Sequence, residues 1–131
     1  MEKTGNMVLN LSALAIAALL AVLAGQNWRA QATPELSTPY HAVALANSQV
    51  FFGRVEGLGT EYVVLRDVFY IQNRLVNAET KQMTNVLVKR GGEWHAPDRM
   101  ILNRSHVLLI EPVKAESQVA KLIAEQEKAK P

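Results

Sequence analysis

The chain contains no cysteine among its 131 residues. Disulfide frameworks, thiolate nucleophiles and cysteine-rich zinc sites are therefore excluded. Neither sign of charge dominates, since 14 Lys and Arg meet 12 Asp and Glu for a formal net charge of +2. The two signs are interleaved, so nothing resembles a nucleic-acid tail or a polybasic lipid-binding run. There is no internal repeat and no low-complexity tract. Also missing are a glycine-rich phosphate loop, a nucleophile elbow, an HExxH pair and a constellation of paired carboxylates. Ser48 and Ser105 are isolated turn residues. Catalysis is not expected, and no cofactor is implied. Aromatic residues are scarce at 6%, but Phe51, Phe52, Tyr62, Phe69, Tyr70 and Trp94 all fall in the strand-rich middle of the chain.

What the sequence does have is one long apolar run near its start. "MVLNLSALAIAALLAVLAG", Met7 to Gly25, carries no charge. Its stretch from Met7 to Ala24 reaches about 27 Å as a helix, at roughly 1.5 Å per residue, which approaches a hydrocarbon core of about 30 Å. No polar face recurs at helical spacing, which argues against a buried soluble helix. Residues 1–25 are therefore read as a transmembrane signal anchor, with Trp28 and Arg29 as membrane-interface side chains. Ala13, Ala17 and Ala21 form a ridge of small residues at four-residue spacing, on which another membrane helix would pack closely. Lys3 before the run and the scarcity of Lys and Arg just after it favour the N-terminus inside and the rest outside. The competing reading is a cleaved signal peptide, for which "AQA" at Ala30–Ala32 supplies a small-x-small site and Thr33 a mature N-terminus.

Residues 26–39, polar and carrying Pro34 and Pro39, read as an extended linker. A β-domain over residues 40–113 follows. Val43 and Leu45 alternate with smaller residues before a turn at Ala46–Ser48. Phe51, Gly53 and Val55 share a face of the next strand. Gly57 and Gly59 mark a second turn. "EYVVLRDVFYIQ" is a long strand, apolar on both faces except at Arg66–Asp67. "MTNVLVKR", Met83 to Arg90, is a further strand, and "GGEW" a turn. Arg99 to Pro112 reads as one or two strands around "NRS". Residues 114–131 form a C-terminal amphipathic helix with Ala115, Val119, Leu122 and Ile123 on its apolar stripe. The expected class is mainly β: a small barrel or curled sheet of about five strands between two helices. A domain this small gains stability from an oligomer or a docking partner.

"VALANSQVFFGRVEGLGTEYVVLRDV" resembles the first motif of the Sm-like fold, a five-stranded SH3-like barrel. "ILNRSHVLLI", Ile101 to Ile110, is similar to its shorter second motif, in which a polar turn joins two closing strands. The resemblance implies that Gly53 sits at a strong bend, where a side chain would collide with the neighbouring strand. It also implies an alternative function, RNA binding on the cytoplasmic side, in which Arg104 and His106 would meet phosphate and Tyr62 would stack a base. More generally the chain resembles short single-pass proteins of bacterial envelopes.

His41, His95 and His106 lack ligand spacing apart from the loose "EWHAPD", so no metal site is expected. Strand alternation places Phe52 and Tyr70 opposite Phe51 and Phe69, and Phe52, Tyr62, Tyr70 and Trp94 form the expected docking surface. The function expected is a non-catalytic accessory subunit of a bacterial membrane or envelope complex, single-pass in the inner membrane with its β-domain periplasmic or external. Its expected partners are the lipid bilayer and other membrane subunits or further copies of itself, rather than nucleic acid.

Overall fold

A computed structural model describes residues 2–30 and 33–130 of the chain. They divide into two compact units, residues 1–33 and 34–131. The first is one helix, α1 (Glu2–Ala30), of 29 residues, which is about 43 Å at roughly 1.5 Å per residue. It therefore continues five residues past Gly25, where the linker was expected to begin. It is long and apolar enough to cross a membrane, and from Lys3 to Trp28 its side chains are exposed all round. Ser12, one of its few polar residues, returns its hydroxyl to Val8 O at 2.9 Å, so that group needs no outside partner. The Arg29 side chain and the Gln31–Ala32 part of the "AQA" segment lie outside the described residues.

The second unit is a six-stranded antiparallel sheet with a C-terminal helix. Its strands are β1 (His41–Leu45), β2 (Val50–Glu56), β3 (Tyr62–Asn77), β4 (Gln82–Lys89), β5 (Arg99–Asn103) and β6 (Val107–Pro112). The strand count is six instead of five because "NRSH" folds as a 3-10 turn, Arg104–His106, that splits the last segment. Asn103 sets that turn by accepting from Ser105 N at 3.0 Å and from Ser105 Oγ at 2.8 Å. The order is β4-β3-β2-β1-β6, with β5 also paired to β3. Among the described residues no ladder joins β5 to β6, so the sheet is not closed.

Strand β3 pairs with three others. Its first half pairs with β5 over Tyr62–Arg66, and its second half pairs with β4 from Phe69 onward. Between them Asp67 and Val68 stand opposite the single residue Gly53, because β2 pairs Phe52 with Phe69 and then Arg54 with Arg66. Asp67 takes φ +48°. This bulge bends the strand and turns its side chains over by one position. Leu65 and Val68 consequently enter one core with Val43 and Leu45, packed by Phe51, Val55, Met100 and Ile110. Phe69 enters a second core on the opposite face, with Leu87 and with Ile123 of α2 (Gln118–Lys128). One strand feeding two cores accounts for the apolar character of both its faces.

Helix α2 begins at Ser117, whose hydroxyl accepts from Ala120 N at 3.1 Å. Ala115 therefore precedes the helix, while Val119, Leu122 and Ile123 form its packed stripe. Polar contacts hold the helix in place. Gln126 Nε2 donates to Leu87 O at 2.8 Å, and the Tyr40 hydroxyl donates to Glu127 Oε1 at 2.7 Å. The Tyr40 ring meets Phe69 edge-on at 6.2 Å, and Arg54 stacks over it at 4.8 Å. Burial, with the bond to Glu127, pushes the Tyr40 hydroxyl up to about 12.

Candidate interaction surface

Beyond the pairing of β3 with β2, β3 and β4 continue as a two-stranded arm from about Ile71 to Val86. The pairing runs from Ile71 with Leu87 out to Asn77 with Gln82. Asn77 organises the turn: its Oδ1 accepts from Glu79 N at 2.9 Å and from Thr80 N at 3.2 Å, and Lys81 closes it at φ +54°. A short polar side chain holding the following amides is the usual way such turns are fixed. The arm exposes Ile71, Leu75, Val76 and Met83, each about half or more accessible. Ile71, Leu75 and Met83 share the face that carries Leu87, because facing residues of an antiparallel pair project to the same side.

At the root of the arm lies an open cleft of about 760 Å³, lined by Leu45, Ser48, Val50, Phe51, Phe52, Tyr70, Ile71 and Met100, with Arg90 and Glu93 on one wall. Phe51 and Tyr70 meet edge-on at 6.4 Å, and the Arg90 guanidinium lies 6.0 Å from the Phe51 ring. Glu93 accepts from Gly91 N at 2.7 Å and from Arg90 Nε at 2.9 Å. The Gly91 amide, Glu93's own amide and then Arg90 hold its carboxyl down at about 2. The wall is thus an internally neutralised pair above an aromatic floor. Such a surface suits an apolar group more than a charged one.

The docking residues expected from sequence are only partly brought together. Phe52 and Tyr70 both line the cleft. They do not share a face opposite Phe51 and Phe69, however. The register pairs Phe51 with Tyr70 and Phe52 with Phe69, and the bulge at Asp67 is what shifts it. Phe52 packs against the core under α2. Trp94 is fully exposed in the turn after Gly92, and Tyr62, about half exposed, lies at the other end of β3 opposite Asn103. There it neighbours Arg104, which with Glu61, Asn103 and Ser105 lines a shallow depression. His106 ends the 3-10 turn, and its carbonyl accepts from Ala46 N at 2.9 Å. The backbone of Arg104 donates to Glu61 O at 3.0 Å, which sets an acidic residue beside the cation that would meet phosphate. Ala13, Ala17 and Ala21 lie exposed on one side of α1.

His41, which lacks ligand spacing in the sequence, opens β1 on the inward face with Val43 and Leu45, only 3% exposed. Its Nδ1 is buried with no hydrogen-bond partner among the described residues, and its Nε2 lies 3.4 Å from Thr38 Oγ1. The alternation of His41, Val43 and Leu45 was the available signal. Burial holds its pKa below the usual 6.5. An unfolded chain takes up this proton near pH 6.5, whereas the folded one does so only at lower pH. Between those values the unfolded state binds more protons. The contribution of the neutral ring is thus complete above about pH 6.5 and is lost as the pH falls through the folded pKa. Thermal melts should show a midpoint that declines from pH 7 toward pH 5.5, and His41→Gln should flatten that decline. Among the described residues no group of three or more His, Asp or Glu side chains gathers where it could hold a metal ion.

In comparison with known proteins, no family model matches the chain. None of the curated proteins matches it at a significant level.

Proposed function

We propose that this protein is a membrane-tethered, non-catalytic interaction module, an accessory subunit of a bacterial membrane or envelope assembly. One observation carries the reading: a helix with no polar face, exposed all round, precedes a unit that has cores of its own. A helix apolar on every side is stable only in lipid or against other apolar helices. The ridge of Ala13, Ala17 and Ala21 serves the second of these contacts, and Trp28 with Arg29 marks the interface. The β-unit then projects on the periplasmic or external side and docks through the arm and the cleft at its root. Tethering raises the local concentration of the unit near its partner, so modest contacts suffice.

In this reading the unit is a small curled sheet of SH3 or Sm-like type. Three features support it: the close approach at Gly53, the 3-10 turn before the last strand, and the return of β6 to pair with β1. The interaction surface nevertheless lies at the arm and cleft, away from Arg104 and His106.

Mild detergent extraction of the full chain followed by size separation tests the reading. The protein should migrate as a species larger than one chain with its micelle. Migration as a lone monomer from native membranes would count against it.

A further inference from the structure

The outer edge of β4 is long, uncharged and open. β4 ends the sheet order, and from Gln82 to Val88 it carries no charged residue and no proline. Natural sheet edges are ordinarily guarded by one or the other, because unpaired amides and carbonyls recruit a further strand. The opposite edge of the arm, on β3, is guarded by Arg74 and by a register shift between Leu75 and Asn77. Part of the β4 edge is already occupied, since Gln126 donates to Leu87 O. Backbone groups alternate along a strand, so Asn85 and Met83 present theirs to the side of Leu87, while Thr84 and Val86 turn theirs to β3. The arm itself has only two strands with exposed apolar side chains, and an isolated two-stranded hairpin is marginal in water.

We infer that this edge pairs with the same edge of a second copy of the chain, antiparallel about a two-fold axis at Thr84. The contact is self-complementary, as a two-fold interface must be. Its register follows from the sequence. A two-fold at Asn85 would set Lys81 opposite Lys89 and would demand the Leu87 backbone that Gln126 holds. One at Met83 would leave only Gln82–Thr84 paired. At Thr84, Met83 faces Asn85, Gln82 faces Val86, no like charges oppose, and the Glu79 end of one turn approaches Lys89 of the second copy. The two arms become a four-stranded sheet, with Met83 of each copy set beside the other's Asn85 on the face of Ile71 and Leu75. This names the partner of the tethered module, and it rests on that reading only for the concentration that shared membrane attachment supplies.

The absence of cysteine makes Thr84→Cys a single-site probe in the full chain. Across a non-hydrogen-bonded antiparallel pair the facing Cα atoms lie about 4.5 Å apart, within disulfide reach. Mild oxidation of detergent-solubilised Thr84→Cys protein should convert most of it to a covalent dimer, while Val76→Cys, on the guarded edge, should stay monomeric. Thr84 is exposed, so the variant should keep the circular dichroism of the parent. A folded Thr84→Cys protein that yields no dimer overturns the inference, as does equal yield from Val76→Cys. Cross-linking of Thr84→Cys only to a different protein would also overturn it, while leaving the tethered module intact. A Thr84→Cys dimer from a chain that does not stay in membranes would support the pairing and remove the tether.

Discussion

Phe69→Ala should cost the β-unit about 3–5 kcal/mol, the range for emptying a buried aromatic site. Phe69 is fully buried and is among the largest side chains in either core. It touches the start and the end of the β-unit at once: Tyr40 meets it edge-on at 6.2 Å, and Ile123 of α2 packs in the same cluster. Lys89 also lies over its ring at 5.4 Å. Truncation removes the apolar transfer energy and leaves a cavity that β3, pinned between β2 and β4, cannot collapse to fill. Domains of this size hold about 5–15 kcal/mol in total, so the variant should sit near its limit. Its melting midpoint should fall by at least about 12 °C in circular dichroism. α2 should lose protection from hydrogen exchange first, because its packed stripe of Val119, Leu122 and Ile123 loses the largest side chain of its cluster and keeps Leu87 with the bonds of Gln126 and Tyr40. A fall of only a few degrees would mean that α2 and the sheet do not share this core.

Gly53→Val should be the second most damaging change, at about 1–3 kcal/mol. A Cβ at position 53 would lie 3.0 Å from Arg66 O and 3.5 Å from both Leu65 Cβ and Val68 Cγ2. The nearest obstacle is backbone and cannot rotate away. To admit a side chain, β2 and β3 must separate at the bulge, which disturbs the ion pairs of Asp67 with Arg54 at 3.3 Å and Lys89 at 3.6 Å. Those pairs are partly exposed and contribute at most about 1 kcal/mol each, so the packing strain sets the size of the effect. Gly92 is the control, since nothing lies within 4 Å of a Cβ built there. Gly92→Ala should leave the unfolding free energy from denaturant titration within about 0.5 kcal/mol of the parent.

The membrane-length helix, the turn positions and the two-sided character of β3 were legible because each is written in the period of apolar residues. The close approach at Gly53 was expected only through the resemblance to the Sm-like motif, whereas the Tyr62–Gln72 segment was legible from its β-branched and aromatic run. The arm was not. "NRLVN", Asn73 to Asn77, does not alternate and carries two asparagines and an arginine, so local propensity gave no reason to extend β3. Pairing with β4 along Asn73–Asn85 and Leu75–Met83 supplies that reason, and pairing is a property of two segments together. The bulge left no local mark either: Asp67 takes φ +48° where two residues of β3 stand opposite Gly53, and that pairing belongs to two segments together. That single residue reversed the face expected for Phe52. Tyr40 and Glu127, 87 positions apart in the chain, joined through a fold that neither position announces.

The tether is tested most directly by washing membranes that carry the full chain with alkaline carbonate and weighing the retained protein by intact mass. Retention in the pellet, with the apolar segment from Met7 to Ala24 still attached, is the expected result. Release into the supernatant, or a mature chain beginning at Thr33, would contradict it.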